Sequence, residues 1–285
     1  MKRIVILVVL VALAGIAGAV VRSSSGKGGT VAELRELVSH NATADVRDEI
    51  RQSYELTPGA VVDLSGINGP VKIETADTQT AEIYIERTAS CQEALDRRKI
   101  FIEGTADRLR IHGETVEHSF FAKLFGSRGS ERVTLKLPRQ ISLTAKGVNG
   151  AVVVGEINGS VELGGINGKV NVANAANSVS FKGINGNIFA GVKNIGQEGI
   201  TLSGINGNIE LQLPAGLNAD FDAHGMNGRV IADMPNVSID KSKHGNYWAR
   251  IGNGGIGISA KGINGNIRLT QATPPTPPSA ATTLN

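Results

Sequence analysis

Three ionisable side chains alternate along one short stretch of the sequence, at Asp220, Asp222 and His224. Residues two apart on a β-strand point to the same face, so these side chains could share one site. Grouped carboxylates beside a histidine suit acid–base catalysis, and carboxylate pairs cleave polysaccharides in glycosidases. The stretch has no repeated partner and no nucleophile beside it, and an outward strand face normally carries polar residues. We therefore expect no enzyme activity, and we assign no catalytic residue, cofactor or metal site.

A second group of residues lies three positions before the Asn-Gly pairs that recur along the chain. The group is Lys146, Gly164, Lys182, Ser203, His224, Lys243 and Lys261. If the repeats stack, the cations form a stripe with charges about 10 Å apart over every second repeat. Such a stripe could bind an anionic polymer, for example an acidic glycan. The simpler interpretation is a solvated edge, in which small neutral residues between the cations limit like-charge repulsion.

Aromatic residues cluster at two places. The first cluster is Phe120, Phe121, Leu124 and Phe125, within the stretch HSFFAKLFGSRG. Its spacing suits either a projecting apolar loop that contacts a partner or a membrane, or a short helix packed over a sheet. The second cluster, Tyr247 and Trp248, could stack on sugar rings or fill an irregular part of the fold.

A repeat sets the elements that must position these residues. Asn-Gly pairs begin at Asn68, Asn149, Asn158, Asn167, Asn185, Asn206, Asn227 and Asn264. Repeats of fixed period indicate a stacked architecture, and here one coil would span 18 to 21 residues. Corners would then follow one another from Asn149 to Asn227, continue through a degenerate corner at Asn246 and end at Asn264. Asn158 and a degenerate Asn177 would lie half a coil away.

The residues after each corner alternate between apolar and polar types. Val170 and Val172 would face inward, for example, while Asn171 faces outward. The Asn-Gly pair allows the positive φ that a tight corner needs. The sequence therefore predicts an all-β fold, a Gly/Asn-cornered β-solenoid with coils of 18 to 21 residues. An antiparallel meander or sandwich is the alternative, with each Asn-Gly pair as a hairpin turn.

Several stretches of this sequence resemble one bacterial family. They are the repeated GIN, the opening YELTPGAVVDLSGINGPVKIE, the strand end VTLKLP, and the closing NGNIELQLP and INGNIRL. They are similar to the head GIN domain family, named "putative auto-transporter adhesin", and to its sister "putative adhesin" family, over residues 47–270. The resemblance implies a β-solenoid on an exported protein and implies no catalytic residues.

The two ends of the chain differ from the repeat region. Residues 1–19 fit a signal peptide, with an uncleaved membrane anchor as the alternative. Residues 20–46 would form a linker and a short helix at about residues 30–39, residues 47–270 one β domain, and residues 271–285 a disordered Pro/Thr-rich tail. The formal net charge of +3 is too small to indicate a nucleic-acid partner. A membrane partner is expected only if the N-terminal segment stays uncleaved.

These features predict an exported, non-enzymatic scaffold that binds at the bacterial envelope or surface. The expected location is the periplasm or the cell surface. The partners would be envelope or host-surface glycans, or another envelope protein. The alternative is a structural periplasmic module that partners an envelope or signalling protein, and a polysaccharide-active enzyme is a third class.

Overall fold

The structure is a computed structural model that describes residues 46–115, 129–241 and 245–272. The predicted signal peptide, the helix near residue 30, the aromatic cluster at residues 120–125, Lys243 and the C-terminal tail lie outside these ranges. No helix within them is long and apolar enough to cross a membrane. The one helix they contain is α1 (Gln92–Arg97).

The rest of the regular structure is β-strand. Apolar residues alternate with polar ones along the strands, and the apolar set is buried: Val170 and Val172 are inaccessible, while Asn171 is exposed. The strands are β1 (Val46–Glu55), β2 (Val61–Ile67), β3 (Val71–Ala76), β4 (Thr80–Ala89), β5 (Arg98–Gly104), β6 (Arg108–Thr115), β7 (Gly129–Pro138), β8 (Ser142–Val148), β9 (Val152–Ile157), β10 (Val161–Asn167), β11 (Val170–Ala175), β12 (Val179–Asn185), β13 (Ile188–Val192), β14 (Ile200–Asn206), β15 (Ile209–Leu213), β16 (Ala219–His224), β17 (Val230–Asp233), β18 (Val237–Lys241), β19 (Tyr247–Ile251), β20 (Ile256–Asn264) and β21 (Ile267–Gln271).

Two sheets face each other across an apolar core. Sheet A has the order β1-β4-β7-β3-β9-β11-β13-β15-β21-β17, and sheet B has the order β18-β19-β16-β20-β14-β12-β10-β8-β2-β6-β5. Each coil places one strand in each sheet, and successive coils pair in parallel, as when Val161 of β10 pairs with Val179 of β12. The predicted all-β solenoid is confirmed, and parallel pairing between coils excludes the antiparallel meander.

The coils do not stack in chain order at either end. The last coil, β20 and β21, lies between the coil β14–β15 and the coil β16–β17. At the other end, the coil β2–β3 lies between β6–β7 and β8–β9. The described strands form eight coils, which extend over about 34 Å at a strand spacing of about 4.8 Å.

This order corrects the predicted corner at Asn246. The 37-residue interval between Asn227 and Asn264 contains the antiparallel strands β18 and β19, which extend sheet B, and these strands form no coil of their own. Asn246 precedes β19, and its Oδ1 accepts a hydrogen bond from the backbone N–H of Gly225 at 3.3 Å. Asn264 consequently stacks between Asn206 and Asn227.

One side of the solenoid is closed by a continuous ladder of asparagine side chains, the corner ladder. In stacking order it consists of Asn68, Asn149, Asn167, Asn185, Asn206, Asn264 and Asn227. Each Nδ2 donates to the Oδ1 of the preceding asparagine at 2.9 to 3.1 Å. Asn158 lies on the opposite side, where β9 turns into β10. Both amide ends are used along the ladder, as in other stacked parallel strands.

Two glycines shape each corner for different reasons. The left-handed residue is the glycine two positions before the asparagine, as at Gly183 with φ 62°, and the corner asparagine itself does not adopt positive φ. A Cβ on Gly186, which follows Asn185, would lie against the carbonyl oxygen of Gly168 in the neighbouring coil. Only glycine allows the coils to approach this closely.

Extra antiparallel strands cover both ends of the core. At one end β1 and β4 extend sheet A and β5 extends sheet B, while β19 and β18 extend sheet B at the other end. Tyr247 on β19 is buried, and its hydroxyl donates to the carbonyl of Gly228 at 2.8 Å. These strands act as caps, which stacked-repeat proteins need at their ends.

A buried ion pair closes the first end of the corner ladder. Glu131 is 1% exposed, and its carboxylate accepts hydrogen bonds from Nε of Arg98 at 2.5 Å and from the backbone N–H of Asn68 at 2.6 Å. Arg98 also donates to the carbonyl of Gly66. The pair thus satisfies backbone groups of Gly66 and Asn68 beside the first corner of the ladder.

Candidate functional site

The outward face of sheet B carries a regular row of cations. Pairing between strands aligns Lys146 with Gly164, Gly164 with Lys182, Lys182 with Ser203, and Ser203 with Lys261. We call Lys146, Lys182 and Lys261, with the two small residues between them, the cation row. His224 adjoins Lys261 at its end. In chain order Ser203 is followed by His224, but the last coil is inserted before β16, so Ser203 lies beside Lys261. Lysines and small residues therefore alternate regularly from Lys146 to Lys261.

The three lysines are exposed and lie two strand spacings apart, or about 9.6 Å. Lys146 contacts Glu162 at 3.0 Å, and both side chains are more than one third exposed, so water screens this pair strongly. The neutral neighbours Gly164 and Ser203 keep like charges from meeting on adjacent strands. The row therefore presents one positive charge for every two coils.

Two residues that were not identified from the sequence continue the row beyond Lys146. Ser65 pairs in register with Lys146 on one side and with His112 on the other, and Ser65 Oγ lies 2.9 Å from Nδ1 of His112. Ser65 stands three residues before Asn68, so the spacing that identified the lysines also applied to it. His112 had no such signal, because no Asn-Gly pair follows β6.

A shallow depression of about 590 Å³ lies at this end of sheet B. Its lining includes Arg110, His112 and Lys146 beside Phe101, whose side chain is 45% exposed. The depression is continuous with the cation row through Lys146. It therefore combines an aromatic side chain with charges of both signs, because the carboxylates of Asp63, Glu103 and Glu114 also line it.

The Asp220, Asp222 and His224 group lies on the outward face of β16 but does not form one convergent site. Asp222 Oδ2 and Nε2 of His224 are 3.0 Å apart, and both side chains are more than half exposed. Asp220 accepts a hydrogen bond from the backbone N–H of Gly255 at 3.1 Å, and Nε of Arg250 lies 3.5 Å from it. Within the three described ranges, no group of His, Cys, Asp and Glu is arranged to hold a metal ion.

The two neighbouring aromatic residues have separate environments. Tyr247 is buried against the core and fills an irregular part of the fold, which was one of the two roles expected for it. Trp248 is 40% exposed on the outward face of sheet B, with the guanidinium of Arg250 5.1 Å from its ring centre. Exposed aromatic side chains therefore stand at both ends of sheet B, Phe101 at one and Trp248 at the other.

Comparisons with known proteins give low similarities. No family model matches the chain, and no curated protein matches it. The resemblance to the head GIN domain family therefore stays a prediction from the sequence.

Several solved structures match the chain over most of its length. A "putative cell adhesion protein" from Clostridium sporogenes is 16% identical, covers 79% of this chain and 100% of its own, and has a TM-score of 0.42. A "putative adhesin" from Bacteroides fragilis is 12% identical, with coverages of 78% and 97% and a TM-score of 0.34. A "putative lipid binding protein" from Parabacteroides distasonis is 13% identical, with coverages of 79% and 97% and a TM-score of 0.26. The solved structures to which this chain is similar thus carry adhesion and lipid-binding names.

Proposed function

We propose that the protein is an exported, non-enzymatic scaffold of the cell envelope or surface, and that sheet B binds an extended anionic polymer. The observation that carries the proposal is the cation row, in which Lys146, Lys182 and Lys261 recur on every second coil in register. A rigid stack holds the charges at a fixed spacing, so a polymer with matching charges binds all of them at once.

The chemistry of the face favours an acidic glycan in which charged and neutral sugars alternate. Lysine ammonium groups bind carboxylates or sulfates, while the small residues between them leave room for a neutral unit. The ring of Phe101 provides an apolar surface for a sugar at the end of the row. Each exposed contact is weak, and the affinity comes from their number.

Hyaluronate, in which acidic and neutral sugars alternate, is the probe that tests this proposal. We expect the purified chain to bind it in titration calorimetry, with an affinity that falls as salt rises. The triple variant K146Q/K182Q/K261Q should bind about tenfold more weakly, at about 0.5 kcal/mol for each exposed charge. Neutral dextran should not bind.

A matched control removes two lysines of sheet A and one that directly follows its strand β13. Lys72, Lys136 and Lys193 are each paired with a glutamate, at 2.6, 3.2 and 3.1 Å. The variant K72Q/K136Q/K193Q has the same net charge as the first triple variant, and we expect it to bind hyaluronate as the unchanged protein does. Equal losses in the two variants would show that only net charge matters and would refute a site on sheet B. Absence of hyaluronate binding would favour a structural module that partners another envelope protein.

A further inference from the structure

The second asparagine of GINGN has its own arrangement, separate from the corner ladder. Only three copies of the repeat contain it, ending at Asn187, Asn208 and Asn266, and these three copies lie in adjacent coils. The Oδ1 of Asn187 accepts a hydrogen bond from the backbone N–H of Asn208 at 3.0 Å, and the Oδ1 of Asn208 accepts one from Asn266 at 3.0 Å. The Oδ1 of Asn266 accepts one from the backbone N–H of Arg229 at 3.0 Å.

These hydrogen bonds fix which end of each amide faces outward. A backbone N–H can be accepted only by the oxygen of an asparagine side chain, so the Nδ2 group must occupy the other position. All three side chains are exposed, and each therefore presents an oriented NH₂ donor at the surface. In the corner ladder, by contrast, the Nδ2 groups already donate to the preceding asparagine in the stack.

Cations occupy the equivalent position in the coils on either side. Lys169 precedes Val170 just as Asn187 precedes Ile188, and Val170 pairs with Ile188. Arg229 follows Asn266 in the stack. Lys169, Asn187, Asn208, Asn266 and Arg229 thus form a row with one outward donor group per coil, the donor row. Four strand spacings give it a length of about 19 Å.

A shallow depression accompanies the donor row on sheet A. Its volume is about 420 Å³, and its lining includes Lys169, the three asparagines and Phe189. Phe189 offers the face of an aromatic ring, and Glu210 and Arg268 lie on the next outward row in register with it. The depression thus joins fixed donors and the cations Lys169 and Arg268 to an apolar surface, with the carboxylate of Glu210 beside them.

We propose that the donor row is a second binding site, which takes a linear polyuronate laid along the stacking axis. A polymer with one carboxylate on every sugar matches a row with one donor on every coil, whereas the cation row has one charge for every two coils. Carboxylate oxygens accept hydrogen bonds from the asparagine NH₂ groups, and Lys169 and Arg229 bind carboxylates near the ends. The ring of Phe189 packs against a sugar face.

The variant Asn208→Asp tests this site with almost no change of shape. One carboxylate oxygen still accepts the backbone N–H of Asn266, so the fold is retained, but the outward donor becomes a negative acceptor. We expect binding of oligogalacturonate to fall by about tenfold or more, because a hydrogen bond is replaced by like-charge repulsion. Glu210→Gln should increase the affinity about twofold by removing a weak repulsion across water-exposed groups.

Controls separate this site from the cation row and from non-specific attraction of anions. Methyl-esterified oligogalacturonate keeps the sugar chain without its charges and should bind weakly. In the K146Q/K182Q/K261Q background, Asn208→Asp should lower the affinity for oligogalacturonate by the same factor as in the unchanged protein, so that failure of the sheet B proposal leaves this result intact. If Asn208→Asp folds normally and binds oligogalacturonate as well as the unchanged protein does, or if no oligogalacturonate binds, the donor row is not such a site. Equal binding of monomeric galacturonate and oligomers, unit for unit, would also overturn it.

Discussion

Two asparagines two residues apart should respond in opposite ways to the same substitution. Asn206 belongs to the corner ladder, where its Nδ2 donates to Oδ1 of Asn185 at 3.1 Å. Asn208 belongs to the donor row. There its Oδ1 accepts a hydrogen bond from the backbone N–H of Asn266, and its Nδ2 faces outward. Asn→Asp replaces the NH₂ group with oxygen and keeps the shape of the side chain. It therefore removes a donor that the fold needs at residue 206 but not at residue 208.

The structure allows the size of each effect to be estimated. In Asn206→Asp one hydrogen bond is lost, at about 1 kcal/mol, and a carboxylate oxygen faces the side-chain oxygen of Asn185, at about 2 kcal/mol more. The hydrogen bond that Asn206 Oδ1 accepts from Nδ2 of Asn264 at 2.9 Å becomes charge-assisted and offsets about 1 kcal/mol of this loss. We expect the free energy of unfolding at neutral pH to fall by about 2 kcal/mol, which lowers Tm by about 4 to 8 °C for a domain of this size. In Asn208→Asp the hydrogen bond becomes charge-assisted, so stability should stay equal or rise by up to about 1 kcal/mol.

The pH dependence should also have opposite signs. At residue 206 the folded protein disfavours the carboxylate and favours the protonated acid, which can donate to Asn185, so the folded pKa lies above the unfolded value of about 3.9. The relative stability of this variant is thus greatest below about pH 3.9 and is lost as pH rises through the folded pKa. At residue 208 the backbone N–H of Asn266 lowers the folded pKa. Its contribution is present above about pH 3.9 and is lost as pH falls.

Urea denaturation of the two variants and the unchanged protein, from pH 3 to pH 7, measures both predictions. Circular dichroism follows the unfolding transition. Subtracting the free energy of unfolding of one variant from that of the other removes the contribution of all other titrating groups. Equal stabilities at neutral pH, or parallel pH profiles, would show that the two asparagines do not have the hydrogen-bond polarity assigned to them. The outward orientation of the asparagine NH₂ groups, on which the donor row depends, would then be refuted as well.

Three further predictions concern the stack. Gly186→Ala should lower the free energy of unfolding by at least about 2 kcal/mol, because the added Cβ would meet the Gly168 carbonyl oxygen. At Gly257 the added Cβ meets open space, so Gly257→Ala should change it by less than about 0.5 kcal/mol. Denaturant melts measure both variants. Glu131→Ala should cost about 3 kcal/mol, because it removes the carboxylate partner of the partly buried Arg98 and the acceptor of the Asn68 backbone N–H, and the exposed Glu74→Ala should cost less than about 1 kcal/mol in the same assay. A chain that ends after residue 254 should not fold cooperatively, because β20 and β21 lie inside the stack; a well-folded, protease-resistant product of that truncation would contradict the coil order.

The sequence was sufficient to predict the coil and its corners, because both depend on local patterns. Alternation after each Asn-Gly pair indicated the strands, and the 18 to 21 spacing favoured parallel stacking over an antiparallel meander. The stacking order of the ends was not predicted, since it depends on which coil fits beside which, a non-local property. A clue was present: the exact string GINGN at residues 262–266 matches those at residues 183–187 and 204–208, and the three copies are neighbours in the stack.

The candidate sites were predicted less completely than the fold. Lys146, Lys182 and Lys261 were identified because they share one offset from a corner, and Ser65 shares it too. His112 and Phe101 lie on strands without an Asn-Gly corner, so no spacing pointed to them. The donor row depends on which amide end is used in each ladder, and a sequence does not contain hydrogen-bond direction.

The crossed order of the end coils restricts how a protein of this type can change its length. Between β8 and β15 the coils stack in chain order, so tandem duplication of one 18- to 21-residue unit there would lengthen the stack without breaking any pairing. The same duplication near β2 or β20 would place a new coil where a later segment of the chain must fit. Natural or engineered variants should therefore differ in coil number in the middle of the chain. Duplication of the two coils from β10 to β13 would add one lysine to the cation row and two donor groups to the donor row.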